Sequence, residues 1–160
     1  MTGSQATNLL KSILHNIGVV LVGFGVALVG RQIDWAFGIP RISSGYAVAA
    51  GYLLLVVGFL LRVWATFYFY KEQMKVIRLA PQQALITGGP YRFSRNPLYL
   101  GGNVFIFFGA ALSLRSPAAL VITALHLPLV DLFIRREESQ LAAQFGEAWE
   151  RYRSRVRRWI

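Results

Sequence analysis

Four long apolar runs constrain the fold of this chain more than any other feature. They extend over about residues 9–30, 45–70, 98–114 and 118–134, with short polar segments between them. The first is long enough to cross the ~30 Å hydrocarbon core of a bilayer as a helix. Apolar residues make up 55% of the 160-residue chain, in blocks rather than along one helical stripe. We therefore predict an all-α integral membrane helical bundle of about four transmembrane helices, with a cytoplasmic C-terminal helical tail and a single domain over residues 1–160.

The composition argues against several functional classes. Cysteine is absent, so the chain has no disulfide, no thiolate metal site and no cysteine nucleophile, and we predict no metal site. A net charge of +10 would indicate nucleic acid in a soluble protein. Here the basic residues flank the apolar runs, which favours anionic lipid head groups and no nucleic-acid partner. Residues 1–10 lack the basic start and cleavage site of a secretory signal, so we expect the first apolar run to stay in the mature protein.

The placement of Lys and Arg predicts the orientation in the membrane, because cytoplasmic loops carry an excess of these residues. Residues 71–96 hold five of them and the tail from Arg135 onward holds seven. The opposite side holds only Arg31, Arg41 and Arg115. We therefore place both termini, and the polar segment before the third run, in the cytoplasm.

Two of the helices are expected to continue beyond the membrane. The polar residues 71–80 have helical spacing, which predicts that the second helix leaves the bilayer and continues until Pro81. The fourth helix should continue to about Phe145, where Gly146 ends it.

The segment between the second and third runs is polar, basic and rich in turn residues. The Gly-Gly-Pro sequence at residues 88–90 ends any helix that arrives from upstream. Pro97 suits the first turn of the next helix, and this places Arg95 and Asn96 at a helix N-terminus. Unpaired N–H groups and the positive end of the helix dipole attract anionic ligand groups there. A basic juxtamembrane loop that meets lipid head groups is the alternative interpretation.

A second polar cluster, Glu137 and Glu138, lies at the end of the fourth helix. The tight turn at residues 115–117 joins the third and fourth runs into an antiparallel hairpin, which brings these carboxylates to the start of the third run. A ligand with a carboxylate, an ammonium group and hydroxyls would fit between the two clusters. The alternative is a solvated helix face whose charge is neutralised by Arg135 and Arg136.

Two motifs carry a resemblance to a known family. Residues 89–101 read G-P-Y-R-F-S-R-N-P-L-Y-L-G and resemble the G-P-Y-x-x-x-R-H-P-x-Y-x-G signature of the isoprenylcysteine carboxyl methyltransferase and phospholipid methyltransferase superfamily. Residues 137–158 resemble the closing motif of the same superfamily, E-E-x-x-L…F-G-x-x-Y-x-x-Y…V-x-R. The similarity covers the chain from about Gly88 to its end, and the first half matches only in having two membrane spans.

The resemblance implies an integral membrane enzyme that uses S-adenosylmethionine and releases S-adenosylhomocysteine. In that superfamily the cofactor lies in a pocket made by the last membrane hairpin and the C-terminal region, here residues 88–160, open to the cytoplasm. A lipophilic substrate approaches from the bilayer. Carried over by position, Arg95, Glu137 and Glu138 are the candidate catalytic residues. The residues implied to bind the cofactor are Tyr91, Arg95, Asn96, Pro97, Leu98, Tyr99, Glu137 and Glu138.

The sequence departs from the superfamily pattern at one position that bears on mechanism. Asn96 stands where the signature has a histidine. An amide donates a hydrogen bond but does not titrate near neutral pH. We therefore expect Asn96 to bind a ligand and not to carry a proton. Trp149, where the closing motif has a tyrosine, is a milder change.

Two classes of methyl acceptor are compatible with the sequence. Methyl transfer is an in-line displacement that needs alignment more than acid or base help. A lipophilic carboxylate of the isoprenylcysteine kind, which gives a methyl ester, needs a cation to position it, and we place it slightly ahead. A phospholipid amine must first lose a proton to a base. The candidate substrate residues are Arg62, Arg92 and His126. Arg62 either snorkels towards the interface or points into the bundle.

A non-enzymatic membrane scaffold or lipid-binding protein is the alternative from another class. Its basic tail would bind anionic head groups. Binding of S-adenosylhomocysteine separates the two, because a scaffold should show none. The sequence does not indicate which oligomeric state the protein adopts.

The predicted topology can be tested with reporter fusions after Gly38 and after Ile160. The two positions are expected to report opposite sides of the membrane, because an odd number of spans separates them and the flanking Lys and Arg residues are asymmetric. A dual alkaline phosphatase and fluorescent reporter gives the measurement. Both fusions reporting the same side would contradict the topology.

Overall fold

The computed structural model describes residues 3–72 and 84–160. Within these ranges the chain is helical and has no strand, so the predicted all-α class is confirmed. The elements are α1 (Gly3–Ala36), α2 (Gly45–Lys71), a 3₁₀ turn (Gly89–Arg92), α3 (Pro97–Ser113), α4 (Pro117–Phe145) and α5 (Glu147–Arg155).

Three of these helices, α1, α2 and α4, are long and apolar enough to cross a membrane. Helix α3 is apolar but shorter, about 25 Å at 1.5 Å per residue, because Pro97 opens it and a turn follows Ser113. Large apolar side chains such as Leu21, Leu53 and Leu125 are exposed on the outside of the bundle. This is the arrangement expected of helices that pack on one another and face lipid on the other side.

The helix ends follow the sequence prediction with a few differences. Helix α1 is longer than its apolar run at both ends, and α2 matches its run within a residue. Helix α4 continues to Phe145 and stops at Gly146, whose φ of 49° is open to glycine but costly for other residues. The predicted continuation of the second helix towards Pro81 lies outside the described residues.

Close contact between α2 and α3 depends on two pairs of glycines. A Cβ added at Gly58 would lie 2.7 Å from the carbonyl oxygen of Gly101, and one added at Gly51 would lie 2.9 Å from that of Gly109. In α1, by contrast, Gly25 faces open space. Small residues allow two backbones to approach in lipid, where packing rather than the hydrophobic effect holds helices together.

A buried carboxylate joins α1 to α4 at the end of the bundle that holds the α3–α4 turn. Asp34 is 2% exposed and accepts hydrogen bonds from the Ser116 hydroxyl at 2.5 Å and from the backbone N–H of Ala118 at 3.0 Å. The Ser116 hydroxyl also caps α4 by accepting from the N–H of Ala119. These bonds satisfy N–H groups at the start of α4 and place a negative charge at its positive end.

The opposite end of the bundle holds the start of α3, the end of α4 and the whole of α5. An aromatic core lies there, in which Phe69, Tyr91, Trp149 and Tyr152 are buried. Because the four long or apolar helices alternate in direction, the two motif segments of the sequence meet at this end.

Substitution of the close-packed glycines tests the helix contacts. Gly58→Ala places a methyl group against the backbone of α3 and is expected to destabilise the protein by about 1–3 kcal/mol. Gly25→Ala is the matched control, since nothing lies within 4 Å of its added Cβ. Thermal unfolding of the detergent-solubilised variants gives the measurement. Equal unfolding temperatures for the two variants would show that α2 and α3 do not approach in this way.

Candidate functional site

A cleft lies where α2, α3, α4 and α5 meet. All eight residues predicted to bind a cofactor line it: Tyr91, Arg95, Asn96, Pro97, Leu98, Tyr99, Glu137 and Glu138. The structure therefore brings together the two polar clusters that lie about 40 residues apart in the sequence.

The loop before α3 is fixed from both sides. Gly89 has a φ of 59°, and its missing Cβ leaves room for the ring of Tyr68. The 3₁₀ turn that follows presents the carbonyl of Tyr91, which accepts a hydrogen bond of 2.8 Å from the hydroxyl of Tyr152. Pro97 then begins α3, as predicted. Turn chemistry and one hydrogen bond from α5 thus hold this wall of the cleft.

Glu138 is the centre of the polar contacts in the cleft. Its carboxylate lies 3.3 Å from Nη2 of Arg95 and 2.6 Å from Nη2 of Arg158. It also accepts a long hydrogen bond of 3.5 Å from Nδ2 of Asn96. The side chain of Glu138 is only 11% exposed. A buried carboxylate needs such partners, because an unpaired charge there would be costly.

The end of the chain is fastened to the loop before α3 by three backbone carbonyl contacts. The carbonyl of Arg157 accepts from the N–H of Arg95 at 2.9 Å. The carbonyl of Arg158 accepts from the hydroxyl of Ser94 and from Nδ2 of Asn96, both at 3.2 Å. The side chain of Asn96 therefore donates to protein groups here, and its predicted role in binding a ligand stays a prediction.

Glu137 faces a different partner from Glu138. One of its carboxylate oxygens accepts a hydrogen bond of 3.1 Å from the hydroxyl of Tyr99. The two neighbouring carboxylates thus have separate environments. The interpretation of both as a solvated face neutralised by Arg135 and Arg136 does not fit these contacts, since Arg135 pairs with Asp131 at 2.6 Å.

Two buried polar atoms in the cleft have no hydrogen-bond partner among the described residues, the hydroxyl of Tyr91 and Nε of Arg95. Burial, reinforced by the carboxylate of Glu137, raises the pKa of Tyr91 well above its usual value. The phenol stays protonated at neutral pH and is able to donate a hydrogen bond to a ligand. The guanidinium of Arg95 also lies over the ring of Trp149, 5.7 Å from its centroid.

The three predicted substrate residues do not line the cleft. Arg62 is buried within the bundle, so it points inward and does not snorkel. Arg92 is exposed on the 3₁₀ turn. His126 lies in the middle of α4, stacked on Phe107 at 5.7 Å. Their assignment to a substrate stays a prediction.

The apolar wall of the cleft was not predicted from the sequence. Leu141, Trp149 and Tyr152 belong to the closing motif, and that motif could have indicated that they line the cleft. Phe69, Leu85 and Ile86 also line the cleft. They come from segments that carry no motif, and only the fold brings them there. No group of three or more His, Cys, Asp or Glu side chains suited to a metal ion occurs within residues 3–72 and 84–160.

A family model described as phospholipid methyltransferase matches residues 46–148 of the chain, from the start of α2 into α5. No curated protein and no solved structure gave a significant match. Members of the matched family are membrane methyltransferases that generally use S-adenosylmethionine. The matched range includes the eight predicted cofactor residues and ends before Tyr152 and Arg158.

Removing the charge of Glu138 tests its central place in the cleft. Glu138→Gln leaves two guanidinium groups without their carboxylate and is expected to cost about 1.5–3 kcal/mol of stability. Hydrogen exchange of residues 156–160 should become faster, because their contacts with the loop before α3 weaken. Glu147→Gln is the control, since that carboxylate is 93% exposed and its pair with Arg151 contributes little. Equal exchange in the two variants would contradict the account.

Proposed function

Because the chain belongs to the phospholipid methyltransferase family, we propose that it transfers a methyl group from S-adenosylmethionine to a lipophilic acceptor held in the membrane. The observation that carries this proposal is the cleft at the end of the bundle, where both motif segments meet. S-adenosylhomocysteine is the expected product, and we expect it to bind in the same cleft before its release.

The residues of the cleft suit the cofactor in their charge and hydrogen-bonding groups. S-adenosylmethionine carries an ammonium group, a carboxylate, hydroxyls, an adenine ring and a sulfonium. Glu137 and Glu138 offer carboxylates, and Arg95 and Tyr91 offer donors that have no described partner. The aromatic wall that includes Trp149 suits an adenine ring or a sulfonium.

S-adenosylmethionine, when bound, supplies a methyl group on a positively charged sulfur. The contribution of the chain is to align this group with the acceptor and to exclude water. The packing of Trp149 and Tyr152 under the α3 loop gives the cleft a rigid apolar side. Asn96 keeps its amide on the carbonyl of Arg158, so it orients the loop and has no proton to carry.

We place a lipophilic carboxylate of the isoprenylcysteine kind first among the acceptors. Such a group is already a nucleophile at neutral pH and needs a cation to hold it in line. Among the described residues that line the cleft, Arg95 is the cation. Methylation of a carboxylate would give a methyl ester.

A phospholipid amine is the second candidate, and the description of the matched family favours it. An amine must lose a proton before it attacks, so this reaction needs a base near the cofactor. Glu137 lies in the cleft with its carboxylate hydrogen-bonded to Tyr99, and these contacts support it as the candidate for that role.

We further propose that the cleft opens to the cytoplasm and that the surface around it meets anionic head groups. The Lys and Arg distribution supports this orientation. The cleft end of the bundle carries exposed arginines at Arg92, Arg135, Arg136, Arg155 and Arg157. Such a surface attracts anionic lipids.

A methyl-transfer assay with labelled cofactor and a total lipid extract tests the activity and the class of acceptor together. A methyl ester releases its label as methanol in mild base, whereas an N-methyl group is stable there. Base-labile incorporation is expected. Base-stable incorporation would support the phospholipid amine instead. No incorporation, together with no binding of S-adenosylhomocysteine, would leave the non-enzymatic scaffold as the better account.

Calorimetric titration with S-adenosylhomocysteine tests the role of Asn96. Asn96→His is expected to retain binding, because a ring N–H replaces the amide donor. Asn96→Leu should weaken binding by roughly 0.5–3 kcal/mol, the range for losing one polar partner. Undiminished affinity in Asn96→Leu would show that this side chain does not support the cofactor site.

A further inference from the structure

A buried polar network lies within the bundle and involves α1, which is outside the family-matched residues 46–148. Asn16 on α1 is 0% exposed. Its Nδ2 donates to the hydroxyl of Thr66 at 2.9 Å and to the carbonyl of Ser12 at 2.8 Å. Its Oδ1 accepts a hydrogen bond of 2.7 Å from Nε of Arg62. The amide of Asn16 is therefore held in one orientation, with its oxygen towards Arg62.

Arg62 connects this network to the wall of the cleft. It is 7% exposed, and its Nη1 donates a hydrogen bond of 2.6 Å to the carbonyl of Leu98. Leu98 and its two chain neighbours, Pro97 and Tyr99, line the cleft. Arg62 thus contacts the backbone of the first turn of α3, the turn that contributes these residues to the cleft.

Helix α3 is shaped around the Arg62 side chain. A Cβ added at Gly101 would lie 2.7 Å from Cγ of Arg62, and one added at Gly102 would lie 2.6 Å from its Nη1. The helix adopts π geometry over Leu100–Ile106, immediately after its first turn. Segments of this kind accommodate a side chain that interrupts regular α-helical bonding.

We propose that Asn16 is a positioning residue for the cleft: it orients Arg62, which holds the carbonyl of Leu98 and thereby the first turn of α3. The inference rests on the proposed function in one respect, that this cleft binds the cofactor. It adds a residue of α1 to a site that the motifs confine to the second half of the chain.

The physical reason is the cost of a guanidinium inside the bundle. Arg62 makes no ion pair within the described part of the chain, and Asn16 supplies its only side-chain acceptor there. Without Oδ1 a buried charged donor would be unsatisfied, and the long side chain would turn towards another acceptor. The carbonyl of Leu98 would then lose its partner, and the first turn of α3 would loosen.

A purely structural role makes a different prediction. In that case the network only joins α1 to α2, and its loss would lower stability without changing the cleft. Gly30→Ala provides a control of this kind, because its added Cβ meets the backbone of Ala119, at the opposite end of the bundle. It should lower the unfolding temperature and leave the cleft as it is.

The test compares Asn16→Leu, Asn16→Asp and Gly30→Ala in the full-length, detergent-solubilised protein. The probe is S-adenosylhomocysteine, and the readouts are its Kd, the unfolding temperature, and hydrogen exchange of the amides of Leu100 and Gly101 without ligand. Asn16→Leu should raise the Kd about tenfold, equivalent to one lost hydrogen bond of ~1.4 kcal/mol, and should speed exchange. Asn16→Asp retains an acceptor for Arg62 and should keep the Kd within about threefold of the parent.

Two results would overturn the inference. One is an Asn16→Leu variant that is destabilised like Gly30→Ala but has the parental Kd and exchange. The other is an Asn16→Asp variant that behaves like Asn16→Leu. If Asn16→Leu does not fold, Asn16→Ser is used, because its hydroxyl is too short to reach Arg62 and the same losses are expected. If the parent does not bind S-adenosylhomocysteine, the proposed function fails, and the ligand-free exchange still decides whether Asn16 positions α3.

Discussion

The ion-paired carboxylate of Glu138 is the contact on which the cleft depends. It joins the end of α4 to Arg95 in the loop before α3 and to Arg158 in the tail. Three parts of the chain that are distant in sequence therefore meet on one side chain. Because the carboxylate is 11% exposed, these contacts act in a medium where charge is weakly screened. The tail completes the site by this contact and by its carbonyl bonds to the loop.

The packing of the helices in the bundle determines where this contact lies. At the glycine pairs, α2 and α3 approach too closely to admit a larger residue. Helix α3 departs from regular α-helical geometry where it passes Arg62. At the far end, Asp34 fastens α1 to the start of α4. The hairpin of α3 and α4 is thus anchored at both ends, which lets its open end present polar groups in a fixed geometry.

Much of the fold follows from local sequence, whereas the predicted cofactor residues follow from the resemblance of two motifs to a known superfamily. The apolar runs predicted the helices, because length and hydropathy alone decide which segments span a bilayer. The position of Glu137 and Glu138 near the start of α3 was predicted because a tight turn joins α3 and α4 as an antiparallel pair. The contacts of Asp34, Asn16 and Arg158 were not predicted. They join residues far apart in the sequence, and nothing in their neighbours indicates a partner. The roles of the glycines in α1 could not be predicted either, because only the packing of the helices decides which of them face another helix.

The central claim is that the cleft between α3, α4 and α5 holds the cofactor. Hydrogen exchange of the purified protein with and without S-adenosylhomocysteine tests it most directly. The account predicts slower exchange on binding in residues 91–99 and 137–152, and no change around Asp34 at the other end of the bundle. Binding that protects neither of the two segments, or that protects only the end near Asp34, would contradict it.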